Sequence, residues 1–276
     1  MTEFGHEAAG PEEVPLRWLG IVGHLLGLEK PAGRLCHGRS GLLGQARREL
    51  GRPIELLHRL DRETSGVLLF ADDPSAAREA RGLWREQFRK RYVAIVLGGD
   101  WDAGEGTLDV PILEHHSDRP HLLARALRAA YGPEVAKRLM SGETLAGIPP
   151  IPVPARSLVH PAGRPASTRW SRLAARGALA LVSLEPAQGR MHQLRLHVGA
   201  AGGEILGDRI YGRRPAIAGS EIDGALLGSG PIVVRLALHL ESIERRTAEG
   251  ARVARWEAPL PEEWSPLLRW LGAESE

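Results

Sequence analysis

His58-Arg59-Leu60-Asp61-Arg62-Glu63-Thr64-Ser65-Gly66-Val67-Leu68-Leu69-Phe70-Ala71 sets the Asp61 carboxylate among basic residues, shortly before an apolar run. Gly66 to Phe70 is a short apolar stretch of the kind that forms a buried strand. Asp73-Pro74 follows as an N-cap with proline at the first helical position. That start predicts a helix from Pro74 to about Lys90, with Ala77, Ala80, Trp84 and Phe88 near one face. Val93 to Leu97 returns as a strand, and Gly98-Gly99 stops it. Positive charge from Arg59 and Arg62 favours the ionised form of Asp61. A positioned carboxylate can serve as nucleophile or base, and the same arginines suit a polyanion. Taken alone, an Asp between arginines is more often a plain ion pair.

Working outward, Ser40 is placed to cap a short helix over Gly41 to Leu50, ended by Gly51 and Pro53. Strand patterns recur at Leu179 to Leu184 and at Ile232 to Ile243, where Leu236, Leu238 and Leu240 alternate with Ala237 and His239. Many turn signals and few helices predict an α+β fold built on a mixed, largely antiparallel sheet. Residues 1 to 14 read as a disordered tail, and 15 to 272 as a single domain.

Composition limits what the chain can be. Of 276 residues, 43% are hydrophobic, which is ample for a core. No apolar run approaches the ~18 residues of a membrane span, and the polar N-terminus has no secretory apolar core. Cys36 is the only cysteine, so neither a disulfide nor a thiolate zinc cage is expected. His192 and His197 lie five apart, off the i, i+4 spacing of helical ligands, and His115, His116 and His121 have no paired carboxylate motif, so no metal is expected. The nucleotide-binding loop G-x-x-x-x-G-K-[ST] and the hydrolase elbow G-x-S-x-G are both missing. The plain expectation is a cytoplasmic protein.

The net charge is only +2, and all cations but Lys30, Lys90 and Lys137 are arginines. Guanidinium offers a planar fork for phosphate. Arg85, Arg89, Lys90 and Arg91 form one basic run, and Arg209, Arg213 and Arg214 another. Solvated charged faces would explain both runs equally well.

Six short segments occur in one order: Lys30-Pro31-Ala32-Gly33, the Asp61 stretch, Lys90-Arg91-Tyr92-Val93-Ala94, Gly189-Arg190-Met191-His192-Gln193-Leu194-Arg195-Leu196-His197, Gly207-Asp208-Arg209-Ile210-Tyr211-Gly212, and Leu238-His239 with the tail Ala258-Pro259-Leu260-Pro261. Together they resemble the pseudouridine synthases of the RluA type, over roughly residues 28 to 265. Three features depart from that pattern. Trp170 stands where tyrosine is usual and Arg164 where lysine is usual. Residues 117 to 154 look like an insertion, with a helix from His121 to about Met140 and a proline-rich return from Ile148 to Pro154. No separate N-terminal RNA-binding domain is expected before Lys30.

The resemblance implies an isomerase that breaks the uridine C1′–N1 bond and rejoins the base through C5, with no cofactor and no metal. It assigns Asp61 as the essential carboxylate, Arg195 as its ion-pair partner, and Tyr92 as the ring stacked on the target uracil. It gives Arg59 the task of filling the stack vacated by a flipped nucleotide; plain pairing with a carboxylate is the competing reading. His58, Arg62, Arg190 and His192 are further RNA-contact candidates, and for His58 a buried, hydrogen-bonded ring is the competing reading. Asp208 reads as a turn anchor. The implied partner is structured RNA, a ribosomal or transfer RNA stem-loop, acted on by a monomer. The rival class is a non-catalytic RNA-binding or ribosome-assembly factor with the same fold. A hydrolase releasing uracil would need a second working carboxylate.

Overall fold

The computed structural model describes residues 14–38, 40–112, 132–135, 159, 163–212 and 235–273. Their strands are β1 (Arg17–Val22), β2 (Leu25–Lys30), β3 (Glu55–Leu56), β4 (Ser65–Ala71), β5 (Phe88–Gly98), β6 (Glu105–Asp109), β7 (Ser167–Arg176), β8 (Leu179–Pro186), β9 (Gly203–Ile205), β10 (Leu238–Arg246) and β11 (Arg252–Glu257). All eleven belong to one sheet, in the order β1-β2-β4-β10-β5-β8-β7-β6, with β3, β9 and β11 added to β4, β5 and β10. The described ladders are antiparallel except where β4 runs parallel to β10. The expected α+β fold with a mixed, largely antiparallel sheet is therefore present.

The apolar run after Asp61 is a strand because it serves two cores at once. All seven residues of β4 are buried. Val67, Leu69 and Ala71 face a core that includes Val93, Leu181 and Trp256. Leu68 and Phe70 face a second, with Leu26, Leu28, Leu42 and Ile54. A strand covered on both faces reads as a continuous apolar run, because its period-2 alternation has no wet side to mark. Gly66 has a φ of +120°, and a Cβ there would lie 2.1 Å from the Leu240 carbonyl oxygen. Gly66→Ala is expected to cost at least about 3 kcal/mol, read as a lowered urea midpoint with an unchanged slope.

Helices cover the sheet sparsely: α1 (Leu42–Leu50), α2 (Pro74–Gly82), α3 (Trp84–Gln87), α4 (Gln193–Ala200) and α5 (Ser265–Leu271). Asp73 caps α2 as its position predicts, its carboxylate accepting from the Ser75 and Ala76 amides at 2.8 and 2.9 Å. The single helix expected to reach Lys90 does not form. It stops at Gly82, a one-turn α3 follows, and the chain is already strand at Phe88. Cross-strand pairing of Phe88, Arg89 and Lys90 with Arg245, Glu244 and Ile243 overrides the local helical pattern. Trp84 and Phe88 still stack, at 4.6 Å between centroids. At α1 the N-cap is Gly41, not Ser40, and no side chain caps it. A Cβ at Gly41 would fall 2.0 Å from the His37 carbonyl oxygen, so the turn from His37 excludes any larger cap.

The strand expected from Ile232 begins at Leu238 among the described residues, and residues 232–234 lie outside them. The expected 117–154 insertion also lies outside them, save residues 132–135, which are helical, as do residues 1–13 and Arg213 and Arg214. No described helix is long and apolar enough to cross a membrane.

Candidate active site

Asp61 lies on the turn that enters β4, where the Thr64 amide donates to the Asp61 carbonyl at 3.2 Å. Three ties hold this turn. The buried Lys30 ammonium, at the end of β2, donates to the carbonyls of Pro31, Arg62 and Thr64 at 3.0, 2.8 and 2.7 Å. The Gly33 amide donates to Arg62 at 2.8 Å. On the other flank Cys36 Sγ sits 3.4 Å from both the amide and the carbonyl of Leu60. Burial pushes the Lys30 ammonium down to about 8, and its three carbonyl acceptors replace the water it lost.

Lys30 thus fixes where Asp61 stands without touching the cleft. Lys30→Met is expected to lower turnover about a hundredfold, since small misplacements of a reacting group carry that size of loss. RNA affinity should stay near wild type. Single-turnover rates set beside equilibrium binding would check the split.

The opposite wall comes from α4. Its residues Gln193 to Val198 are all buried, so every polar side chain there needs a partner. Gln193 donates to the Ser167 carbonyl at 2.9 Å, and His197 lies 2.9 Å from Thr168 Oγ1 and 3.0 Å from the Val110 carbonyl. Arg195 points back beneath the turn. Its Nε and Nη2 donate to Asp208 at 2.8 and 2.5 Å, while Nη1 lies 3.7 Å from Asp61 Oδ2. The expected Arg195–Asp61 pair is therefore the looser of two, and Asp208 holds the guanidinium. Asp208 is also the anticipated turn anchor, accepting from the Ile210 and Tyr211 amides at 2.9 and 3.0 Å.

Burial alone would raise the Asp208 carboxyl, but the Arg195 charge and these hydrogen bonds outweigh it and hold it below the usual carboxylate range. For Arg195 burial works against the charge, yet Asp208 and Asp61 keep the guanidinium firmly protonated. Its Cζ lies 5.0 Å from the centre of the Tyr211 ring. His192, just before α4, has a φ of 54° and is the only non-glycine in the left-handed region among the described residues. Its Nδ1 is 2.8 Å from the Tyr211 hydroxyl and its Nε2 is 3.8 Å from Asp61 Oδ2. A strained backbone held by such a contact commonly marks a functional site. Sequence reasoning missed Tyr211 and the double duty of Asp208; their signal was the G-D-x-x-Y-G segment, whose partner lies thirteen residues upstream.

Asp61, its side chain one-third exposed, opens onto a cleft of about 800 Å³. Arg59, Tyr92, Arg190, His192 and Arg195 also line it. Arg59 is exposed at the cleft. The Asp61 carboxylate has Arg195 and His192, not the flanking arginines, within 4 Å among the described residues. Tyr92 is buried on β5 beside the acid; burial first, and the Asp61 charge second, push its phenol well above the ordinary range. Arg190 donates from Nε to the Pro165 carbonyl at 3.3 Å.

Two candidates for RNA contact have partners within the fold, although His58 also borders the cleft. Arg62 turns away from the cleft and donates from Nε to the Gly33 carbonyl at 2.8 Å, because the tight turn sends residues 61 and 62 to opposite sides. His58 is a packed ring. Its Nε2 accepts from the Leu69 amide at 3.2 Å, and it stacks on Trp84 at 5.2 Å. Burial, helped by the Lys90 charge, pushes its pKa down to about 3. It is neutral at physiological pH and offers phosphate no charge. Trp170, the departure from tyrosine, is buried and meets Trp101 edge-on at 4.9 Å.

The family model for RNA pseudouridylate synthase matches residues 24–200. The chain belongs to that family. RNA pseudouridine synthases are isomerases. The ribosomal large subunit pseudouridine synthase C of Salmonella typhi is 33% identical over 260 residues, covering 91% of this chain and 69% of its own length. The protein of that name from Escherichia coli strain K12 is 34% identical over 247 residues, covering 87% of this chain and 65% of its own. The chain thus spans about two thirds of the length of these curated relatives. Human RNA pseudouridylate synthase domain containing 4 shares the fold, with a TM-score of 0.63 at 24% identity and 94% coverage of each chain. Among the described residues no group of three or more metal-ligating side chains converges.

Proposed function

We propose that this synthase converts uridine to pseudouridine in ribosomal large-subunit RNA, with Asp61 as the essential carboxylate. The observation that carries the reading is a partly exposed acid, Asp61, on a rigid turn, facing a cleft walled by cations. Arg59, Arg85, Arg89, Lys90, Arg169, Arg190 and Arg195 line it, against the carboxylates of Asp61 and Glu185. Seven cations against two acids suit a phosphate backbone. The names of the relatives favour ribosomal large-subunit RNA over transfer RNA, and such a substrate implies a cytoplasmic protein.

The reaction is an isomerisation. The C1′–N1 bond breaks, the uracil turns, C5 bonds to C1′, the C5 proton leaves, and N1 ends protonated, so no oxidant or leaving group is exchanged. Asp61 acts on the sugar or ring as nucleophile, or stabilises and deprotonates an intermediate; Arg195, locked by Asp208, keeps a fixed positive charge facing it. Tyr92 keeps its proton, so it serves as a stacking face and a hydrogen-bond donor rather than as a base. A uridine in folded RNA must be extruded, at a few kcal/mol, and the Arg59 guanidinium, exposed at the cleft, suits the vacated stack. Purified protein should form pseudouridine in deproteinised large-subunit RNA, read by mass mapping, and leave bulk transfer RNA unmodified. Transfer RNA modified in preference would overturn the substrate; no pseudouridine in either RNA would overturn the activity.

A further inference from the structure

Lys90 is a half-buried cation at the cleft that no hydrogen bond or ion pair among the described residues claims. The contrast with Lys30 makes the point. Burial depresses both ammonium groups to about 8. Lys30 recovers its solvation from three carbonyls. Lys90, among the described residues, meets neither a carboxylate nor a carbonyl acceptor. A partly desolvated ammonium without a partner carries a solvation cost, which an anion bound in the cleft would offset.

The surroundings of Lys90 say what that ligand is. It lines the cleft on the same face of β5 as Phe88 and Tyr92, while Arg91 points to the other face and pairs with Glu241. Two residues of strand separate it from Tyr92 by about 7 Å, the scale of one nucleotide. Gly189 borders it from the facing loop, where even a Cβ would come within 3.6 Å of Nζ. The missing side chain keeps the ammonium open toward the cleft.

We propose that Lys90 binds a backbone phosphate of the RNA strand next to the uridine presented to Asp61, making it a positioning residue for the extruded nucleotide. This rests on the RNA reading above. A single compact cation suits one phosphate oxygen, whereas an arginine fork would also seek a planar partner.

Lys90→Met and Lys90→Arg test it, assayed on deproteinised large-subunit RNA at several salt concentrations. Lys90→Met is expected to raise KM about tenfold with kcat within about threefold. Its log–log salt slope should fall by about one phosphate contact. Its melting temperature should match or exceed wild type, since a partnerless charge has been removed. Lys90→Arg should keep the wild-type salt slope. The assignment is overturned if Lys90→Met keeps the wild-type KM and slope, or if it melts several degrees lower and Lys90→Arg shows a reduced slope. If the wild-type protein itself forms no pseudouridine, the function falls and this inference with it; an active wild type matched by Lys90→Met sinks the inference alone.

Discussion

Asp61→Asn is expected to lower pseudouridine formation by at least about 10⁴-fold, the scale seen when an essential catalytic group is removed. The substitution keeps size and shape and deletes only the charge. The turn should survive it, because the Thr64 amide bonds to the backbone carbonyl of residue 61 and the Lys30 ties reach residues 62 and 64. The carboxylate makes no direct hydrogen bond to Arg195 or His192, which stand 3.7 and 3.8 Å away. Thermal stability should therefore change little. RNA affinity should hold or tighten slightly, since a negative charge leaves a cation-rich cleft. Single-turnover kinetics at saturating enzyme separate these effects. A rate within tenfold of wild type would remove Asp61 from the chemistry; a lost rate with lost binding would recast it as an RNA contact.

Local signals were legible where local physics governs. The two-sided burial of β4 appears as an unbroken apolar run, and Asp73-Pro74 caps α2 as any such pair would. Where partners lie far along the chain, the reading failed or stayed incomplete. Phe88 to Lys90 look helical until β10, some 155 residues later, supplies their ladder. Arg62 and Asp61 are adjacent in sequence, and only the turn geometry reveals that one faces the cleft and the other Gly33. His58 looks like a cation until burial beside Trp84 and Lys90 makes it neutral. Lys30 stood out only as part of a motif; two of its three carbonyl contacts come from a loop about thirty residues away. Resemblance supplied the cast of the site, but not the division of labour in which Asp208 holds Arg195 and Arg195 steadies Asp61.

That division of labour makes Asp208 the residue whose loss should be felt in both stability and turnover. Its side chain is 1% exposed and accepts from both Arg195 and two backbone amides. Asp208→Ala breaks a buried pair and strands a guanidinium, with an expected loss of about 3–5 kcal/mol. For a chain of this size that lowers the melting temperature by roughly 10 °C. Arg195, freed, has one other carboxylate in reach among the described residues, Asp61, and a direct bond to it would pull the acid away from substrate. Turnover should fall further than stability alone explains.

The paired variant Arg195→Met with Asp208→Leu separates the two effects. Apolar replacement of a buried pair is often neutral or better for stability, so melting should recover while activity does not. Recovered activity would refute a role for Arg195 in catalysis.

The same pair fixes a sign in pH. The folded-state pKa of Asp208 lies below its unfolded value of about 3.9. Its contribution is fully present above that value and is lost as pH falls through the folded one. Wild type should therefore lose stability more steeply than Asp208→Asn as pH falls below about 4. Parallel acid-unfolding curves for the two proteins would mean that the Asp208 carboxylate does not sustain the arrangement around Asp61.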